Sequence, residues 1–216
     1  LVCMATAWAC SVHQQASVCR QSRGYSRVGS ELCNRAINRL SKMNLRRMFL
    51  TVWPNEVQVE QLYQLQGDYI GCGKEVSPEN LHMTLLFMGD MRDDEVDCLI
   101  QAAQNLVVRP FTIHLDRLGY FPKKKIFYVA PSTVPDELTQ LQRRLRSCAQ
   151  HCGVQQLSKK YLPHVSLQRN SEIPLSNPSF SPIEWEIDEF HLVESRLDRR
   201  AVLYNSIESF SLINHS

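Results

Sequence analysis

The tightest constraint on this chain is a repeated order of elements without a repeated text. "MFLTVW" from Met48 reads as an apolar, β-branched strand, "NEVQVEQLYQLQ" as a helix, and "LHMTLLFMGD" from Leu81 as a strand ending at Gly89. "KIFYVA" from Lys125, the helix "VPDELTQLQRRLRSCAQHCG" and the strand "LPHVSLQRN" from Leu162 repeat that order. Such a chain folds as two βαβ-like units, and the last strand of each carries histidine, one spacer, a hydroxyl residue and leucine.

The helix after Asn55 is expected to bury Val57, Leu62 and Leu65, and "DDEVDCLIQAAQNL" to bury Val96, Leu99, Ile100 and Ala103. In the third helix Pro135 reads as an early helical residue. "FTIHLDRLGYF", "IEWEIDEFHLVES" and "AVLYNSIESFSL" alternate as further strands. No apolar run nears the ~20 residues of a membrane span, so no membrane partner is expected.

Residues two apart in a strand share a face, about 6 to 7 Å from one another. His82 therefore sits beside Thr84 and His164 beside Ser166, while Met83, Leu85, Val165 and Leu167 turn into the core. If the two strands adjoin about a pseudo-two-fold axis, four polar side chains converge on a space suited to a tetrahedral phosphate. Hydroxyls donate to its oxygens, and two imidazoles titrating near pH 6.5 supply one base and one acid. Among the seven histidines only these two have Ser or Thr at the second position after them.

These residues resemble the 2H phosphoesterase superfamily, and within it the bacterial RNA 2′,3′-cyclic phosphodiesterases, historically called 2′-5′ RNA ligases (LigT-type). The resemblance covers most of the span from Met43 to Leu212 and is carried by "RMFLTVWPNEV", "ENLHMTLLFMGDM", "LDRLGYFPKKKIFYVAP" and "LPHVSLQRN". It implies an α+β fold with two pseudo-symmetric lobes of antiparallel sheet, helices on the outer faces and the active-site groove between the lobes. It also implies opening of RNA 2′,3′-cyclic phosphates to 2′-phosphomonoesters, with reversible 2′-5′ ligation as a side activity.

By the same resemblance His82 is the proton donor and His164 the proton acceptor; the residues themselves allow either order. Thr84 and Ser166, the latter in place of the more usual threonine, hold phosphate oxygens, and Arg169 contacts the phosphate. In "GYFPKKK" an aromatic ring stands next to three lysines, so Tyr120 or Phe121 is a candidate platform for a base. The partner is RNA or an oligonucleotide with a 2′,3′-cyclic phosphate end, met by a monomer without metal or cofactor. Two alternatives stay open: a 2H enzyme for another cyclic nucleotide or a 2′-5′ oligonucleotide, and a non-catalytic module that binds RNA ends.

Residues 1–42 have one acid, Glu31, and no apolar periodicity. They read as a misassigned start, a disordered leader or an Arg/Ser-rich organellar targeting peptide, with residues 43–216 as one bilobal domain. Eight cysteines without a CxxC pair suggest reduced thiols in the cytoplasm, and Cys148, His151 and Cys152 read as helix-face residues rather than metal ligands.

Overall fold

The described strands, some buried on one face and some, such as the first and fifth, buried along nearly their whole length, are β1 (Arg46–Val52), β2 (Lys74–Glu75), β3 (Met83–Met91), β4 (Phe111–Phe121), β5 (Ile126–Pro131), β6 (Val165–Arg169), β7 (Ile183–Ile187), β8 (Glu189–Leu197) and β9 (Val202–Ser211). Three helices intervene: α1 (Glu56–Gly67), α2 (Asp93–Gln104) and α3 (Asp136–His151). The computed structural model describes residues 45–68, 73–155, 157, 160–172, 180–198 and 202–213, all within the compact unit Asn44–Ser216. The leader 1–42 lies outside the described residues.

The strands form one sheet in the order β7-β4-β5-β6-β3-β1-β8-β9, with β2 added to β6, and every pairing is antiparallel. The α+β class and the two lobes follow: β7-β4-β5-β6 is one half, β3-β1-β8-β9 the other, and β6 meets β3 at Val165 opposite Met83. In each unit the helix returns the chain to a neighbouring strand in the antiparallel sense, so neither is a parallel βαβ crossover. Each helix also serves the opposite half, α1 lying against β6 and β7 and α3 against β3 and α2.

Register at the centre is held by burial. Met83, Val165 and Leu167 are fully buried and Leu85 almost so. At about 1.5–3 kcal/mol for each such side chain, a one-residue slip that exchanged them for histidine and hydroxyl would be strongly unfavourable.

Helix α1 departs from the expected apolar stripe. Val57 is exposed, and the buried face is Gln58, Leu62, Leu65 and Gln66. The glutamines are inside because their amides are used: Gln58 Nε2 donates to the Glu184 carbonyl, and Gln66 Nε2 to the carbonyls of Val76 and Leu167. Gln66 thus ties α1 to the strand that carries Ser166. Pro135 stands at the N-cap of α3, one residue before the helix begins.

The expectation of reduced thiols fails at two positions, because Cys98 of α2 and Cys152 at the end of α3 form a disulfide while Cys148 is free. Sequence spacing concealed the pair, which is 54 residues apart and meets only when the two helices pack side by side. Closing a loop of that size restricts the unfolded chain. Reduction, or Cys98→Ser, is expected to lower unfolding stability by about 2–4 kcal/mol in a denaturant titration with and without reductant. No described helix is long and apolar enough to cross a membrane.

Candidate active site

Met83 opposite Val165 fixes what surrounds it. In an antiparallel pair the next residues out face one another crosswise, so His82 comes opposite Ser166 and Thr84 opposite His164. The two histidines are then diagonal neighbours, with Cα atoms about 7–8 Å apart. A pseudo-two-fold axis passes between Met83 and Val165, and all four polar residues lie on the face away from the buried Met83 and Val165. Each of the four is half-buried.

The two histidines are held in the same way. Nδ1 of His82 lies 2.7 Å from the Asn80 carbonyl, and Nδ1 of His164 lies 2.8 Å from the Leu162 carbonyl, each two residues back. A carbonyl only accepts, so in both rings Nδ1 carries the hydrogen. The Nε2 atoms have no hydrogen-bond partner among the described residues, so each can accept a proton from a ligand or donate one to it. For His82 the carbonyl is presented by the short 3₁₀ turn Pro78–Asn80 that ends just before the motif.

The hydroxyls of Thr84 and Ser166 likewise have no hydrogen-bond partner among the described residues. Thr51 is an instructive contrast. It pairs with Thr84 in register, but its Oγ1 donates to the Met83 carbonyl at 2.8 Å and it is fully buried. Of two adjacent threonines, one is committed to the backbone and the other is available to a ligand.

Each imidazole sits among rings. Phe49, Trp53 and Tyr204 surround His82, with centroids at 5.3, 5.3 and 5.1 Å. Phe121 and Tyr128 flank His164 at 5.0 and 5.3 Å. Gly119 makes room for this second group: it pairs with Tyr128, and a Cβ there would fall 2.3 Å from the ring.

Such apolar walls disfavour the imidazolium. Burial is the main cause that carries His82 down to about 4, reinforced by the charges of Arg169 and His164 and opposed by the Asn80 carbonyl. Burial also lowers His164, with Lys124 and Arg169 acting in the same sense and the Leu162 carbonyl opposing. An anion between the rings reverses these influences, since opposite charge favours the protonated form.

Arg169 is exposed at the end of β6, where its charge reaches both histidines. Phe121 stacks on Tyr128 at 4.3 Å and meets His164 edge-on. Its neighbour Tyr120 lies apart from the rings: it packs against the core and its hydroxyl donates to the Ser171 carbonyl. Trp53 and Tyr204 were not legible as site residues, because both read as ordinary strand aromatics. Tyr204 reaches His82 only through the pairing of β9 with β8 and of β8 with β1. Among the described residues no group of three His, Cys, Asp or Glu side chains could hold a metal ion.

A family model described as the 2′-5′ RNA ligase superfamily matches residues 54–199. The chain is 26% identical over 172 residues to the RNA 2′,3′-cyclic phosphodiesterase of Escherichia coli, covering 77% of this chain and 97% of that relative. Among solved structures, E. coli LigT complexed with 3′-AMP is similar with a TM-score of 0.72 at 24% identity, covering 79% of this chain and 99% of that one. TT0787 of Thermus thermophilus is similar with a TM-score of 0.68 at 26% identity, covering 77% and 97%.

Proposed function

The chain belongs to the 2′-5′ RNA ligase superfamily, and from that premise we propose that it hydrolyses RNA 2′,3′-cyclic phosphates to 2′-phosphomonoesters. The observation that carries the reading is the crosswise arrangement of His82, Thr84, His164 and Ser166 about the Met83–Val165 pair, with both Nε2 atoms and both hydroxyls available. The E. coli relative named for this reaction supports the choice of substrate.

In this mechanism His164 Nε2 takes a proton from water as the water oxygen bonds to phosphorus. The bond from phosphorus to the ribose 3′-oxygen breaks in line with that attack, and His82 Nε2–H delivers its proton to the departing oxygen. Thr84 and Ser166 donate to the non-bridging oxygens, where negative charge builds, and Arg169 adds its charge from the edge. With a 5′-hydroxyl in place of water the same groups join RNA ends through a 2′-5′ link. All four central groups come from one chain, which supports action as a monomer.

One observation favours a second assignment of roles. His82 is lowered to about 4, and Lys124 lies on the His164 side, yet both rings must share one proton. His82, lowered to about 4, is neutral over most of the pH range, so in the exchanged assignment His164 holds the proton and His82 takes one from water, and the macroscopic pH profile is the same for both.

The test is product analysis on an RNA ending in a 2′,3′-cyclic phosphate, with EDTA present. A 2′-phosphate is the expected product; a 3′-phosphate, or no turnover, refutes the proposal. The pH dependence follows from the same geometry. With both rings protonated no base remains, with both neutral no acid remains, and burial holds both imidazoles below the ordinary value, His82 at about 4. As kcat/KM reports the free protein, its bell-shaped profile is expected to have an alkaline limb on the acid side of about pH 6.5, the ordinary imidazole value. The bound phosphodiester raises both imidazoles, so the alkaline limb of kcat should lie at higher pH than that of kcat/KM.

A further inference from the structure

Both histidine strands carry a bulge at the same place. On β3 the register passes from Thr51 opposite Thr84 to Leu50 opposite Leu86, leaving Leu85 without a partner. On β6 it passes from Tyr128 opposite Ser166 to Phe127 opposite Gln168, leaving Leu167 without one. In each strand two consecutive residues are buried, Leu85 and Leu86 in one and Leu167 and Gln168 in the other. The extra residue brings the third position after the hydroxyl back to the groove face. That position is Arg169 in the second motif and Phe87 in the first.

Phe87 is thus the pseudo-symmetric counterpart of Arg169, at the opposite end of the cleft, and the residue is 46% exposed. It pairs with Phe49, whose own ring contacts His82, so it is continuous with the site. Two residues before Phe49 on the same face of β1, the Arg47 guanidinium lies 4.8 Å from the centre of the Phe87 ring. Arg47 has no carboxylate within ion-pair distance among the described residues, although Asp90 is its partner in register. The adjacent Arg46, on the other face, is 3.2 Å from Glu194. An exposed ring with an unneutralised guanidinium over one of its faces offers the other face to a nucleobase and the charge to its phosphate.

We infer that Phe87 and Arg47 form a second nucleotide subsite, which takes the nucleotide preceding the cyclic-phosphate end of the RNA: its base on Phe87 and its phosphate on Arg47. This rests on the cyclic-phosphodiesterase reading above. Measured along β3, Phe87 is about 7 Å beyond Thr84, roughly one nucleotide of extended chain. The terminal nucleoside then lies toward Phe121 and Arg169, and the chain leaves the cleft over the other lobe.

The experiment compares kcat/KM for a cyclic-ended dinucleotide with that for a 2′,3′-cyclic mononucleotide, which is too short to reach Phe87. The wild type is expected to favour the dinucleotide. Phe87→Ala should lower the ratio of the two values about tenfold, and Phe87→Trp should keep it. Arg47→Gln should lower the ratio and flatten its dependence on salt. The ratio does not depend on how much protein is folded, because both substrates report the same active molecules. A wild type with no length preference, or variants with an unchanged ratio, would overturn the inference. A wild type inert toward both substrates would instead overturn the cyclic-phosphodiesterase reading, and this subsite with it.

Discussion

Replacing His82 or His164 with alanine is expected to slow turnover of a 2′,3′-cyclic phosphate by about 10²–10⁴, the usual loss when a general acid or base is removed. The two losses should be similar in size, because the rings are related by the pseudo-two-fold axis and each holds its Nδ1–H on a carbonyl two residues back. They should differ in what rescues them. If His82 protonates the ribose 3′-oxygen, a substrate with sulfur at that bridging position needs little protonation to depart. His82→Ala should then recover to within about tenfold of wild type on the thio substrate, while His164→Ala should not. The reverse pattern would exchange the roles. Equal turnover of both variants and the wild type on the ordinary substrate would end the two-histidine mechanism altogether.

The second large effect belongs to the hydroxyls. Thr84→Val and Ser166→Ala are each expected to lower kcat by about 10², since each removes one donor aimed at oxygens whose charge grows during the reaction. Thr84→Ser and Ser166→Thr should retain most activity, because the donor is kept. Thr51→Val supplies the contrast: its hydroxyl bonds to the Met83 carbonyl, so its removal should cost about 1 kcal/mol of stability with little change in kcat. Comparable kcat losses in the Thr51 and Thr84 variants would show that the Thr84 effect is structural.

The strands and helices were largely legible because their signals are local. β4 was marked by alternation from Phe111 to Phe121, and the third helix by acids after Pro135 and Gly153 beyond its end. Helix α1 was misread in part, since a hydropathy pattern treats Gln58 and Gln66 as surface and Val57 as core. Their burial depends on carbonyls of Glu184, Val76 and Leu167 that only the folded chain brings within reach.

The candidate site divides in the same way. A period of two along each strand pairs His82 with Thr84 and His164 with Ser166, but it says nothing about whether the pairs meet. The Cys98–Cys152 link, the ring of Tyr204 against His82 and the separation of Tyr120 from Phe121 all depend on contacts distant in sequence.

By itself, the sequence determined the element types, the buried face of most of them and the twin histidine–hydroxyl motif, because these follow from backbone periodicity and the cost of leaving apolar side chains in water. The tertiary structure alone decided the crosswise register at Met83 and Val165, the lowering of both imidazoles by burial, and the bulges that turn Phe87 and Arg169 toward the cleft. Those depend on which strands become neighbours, and strand neighbours are chosen by packing across the whole sheet rather than by any one segment.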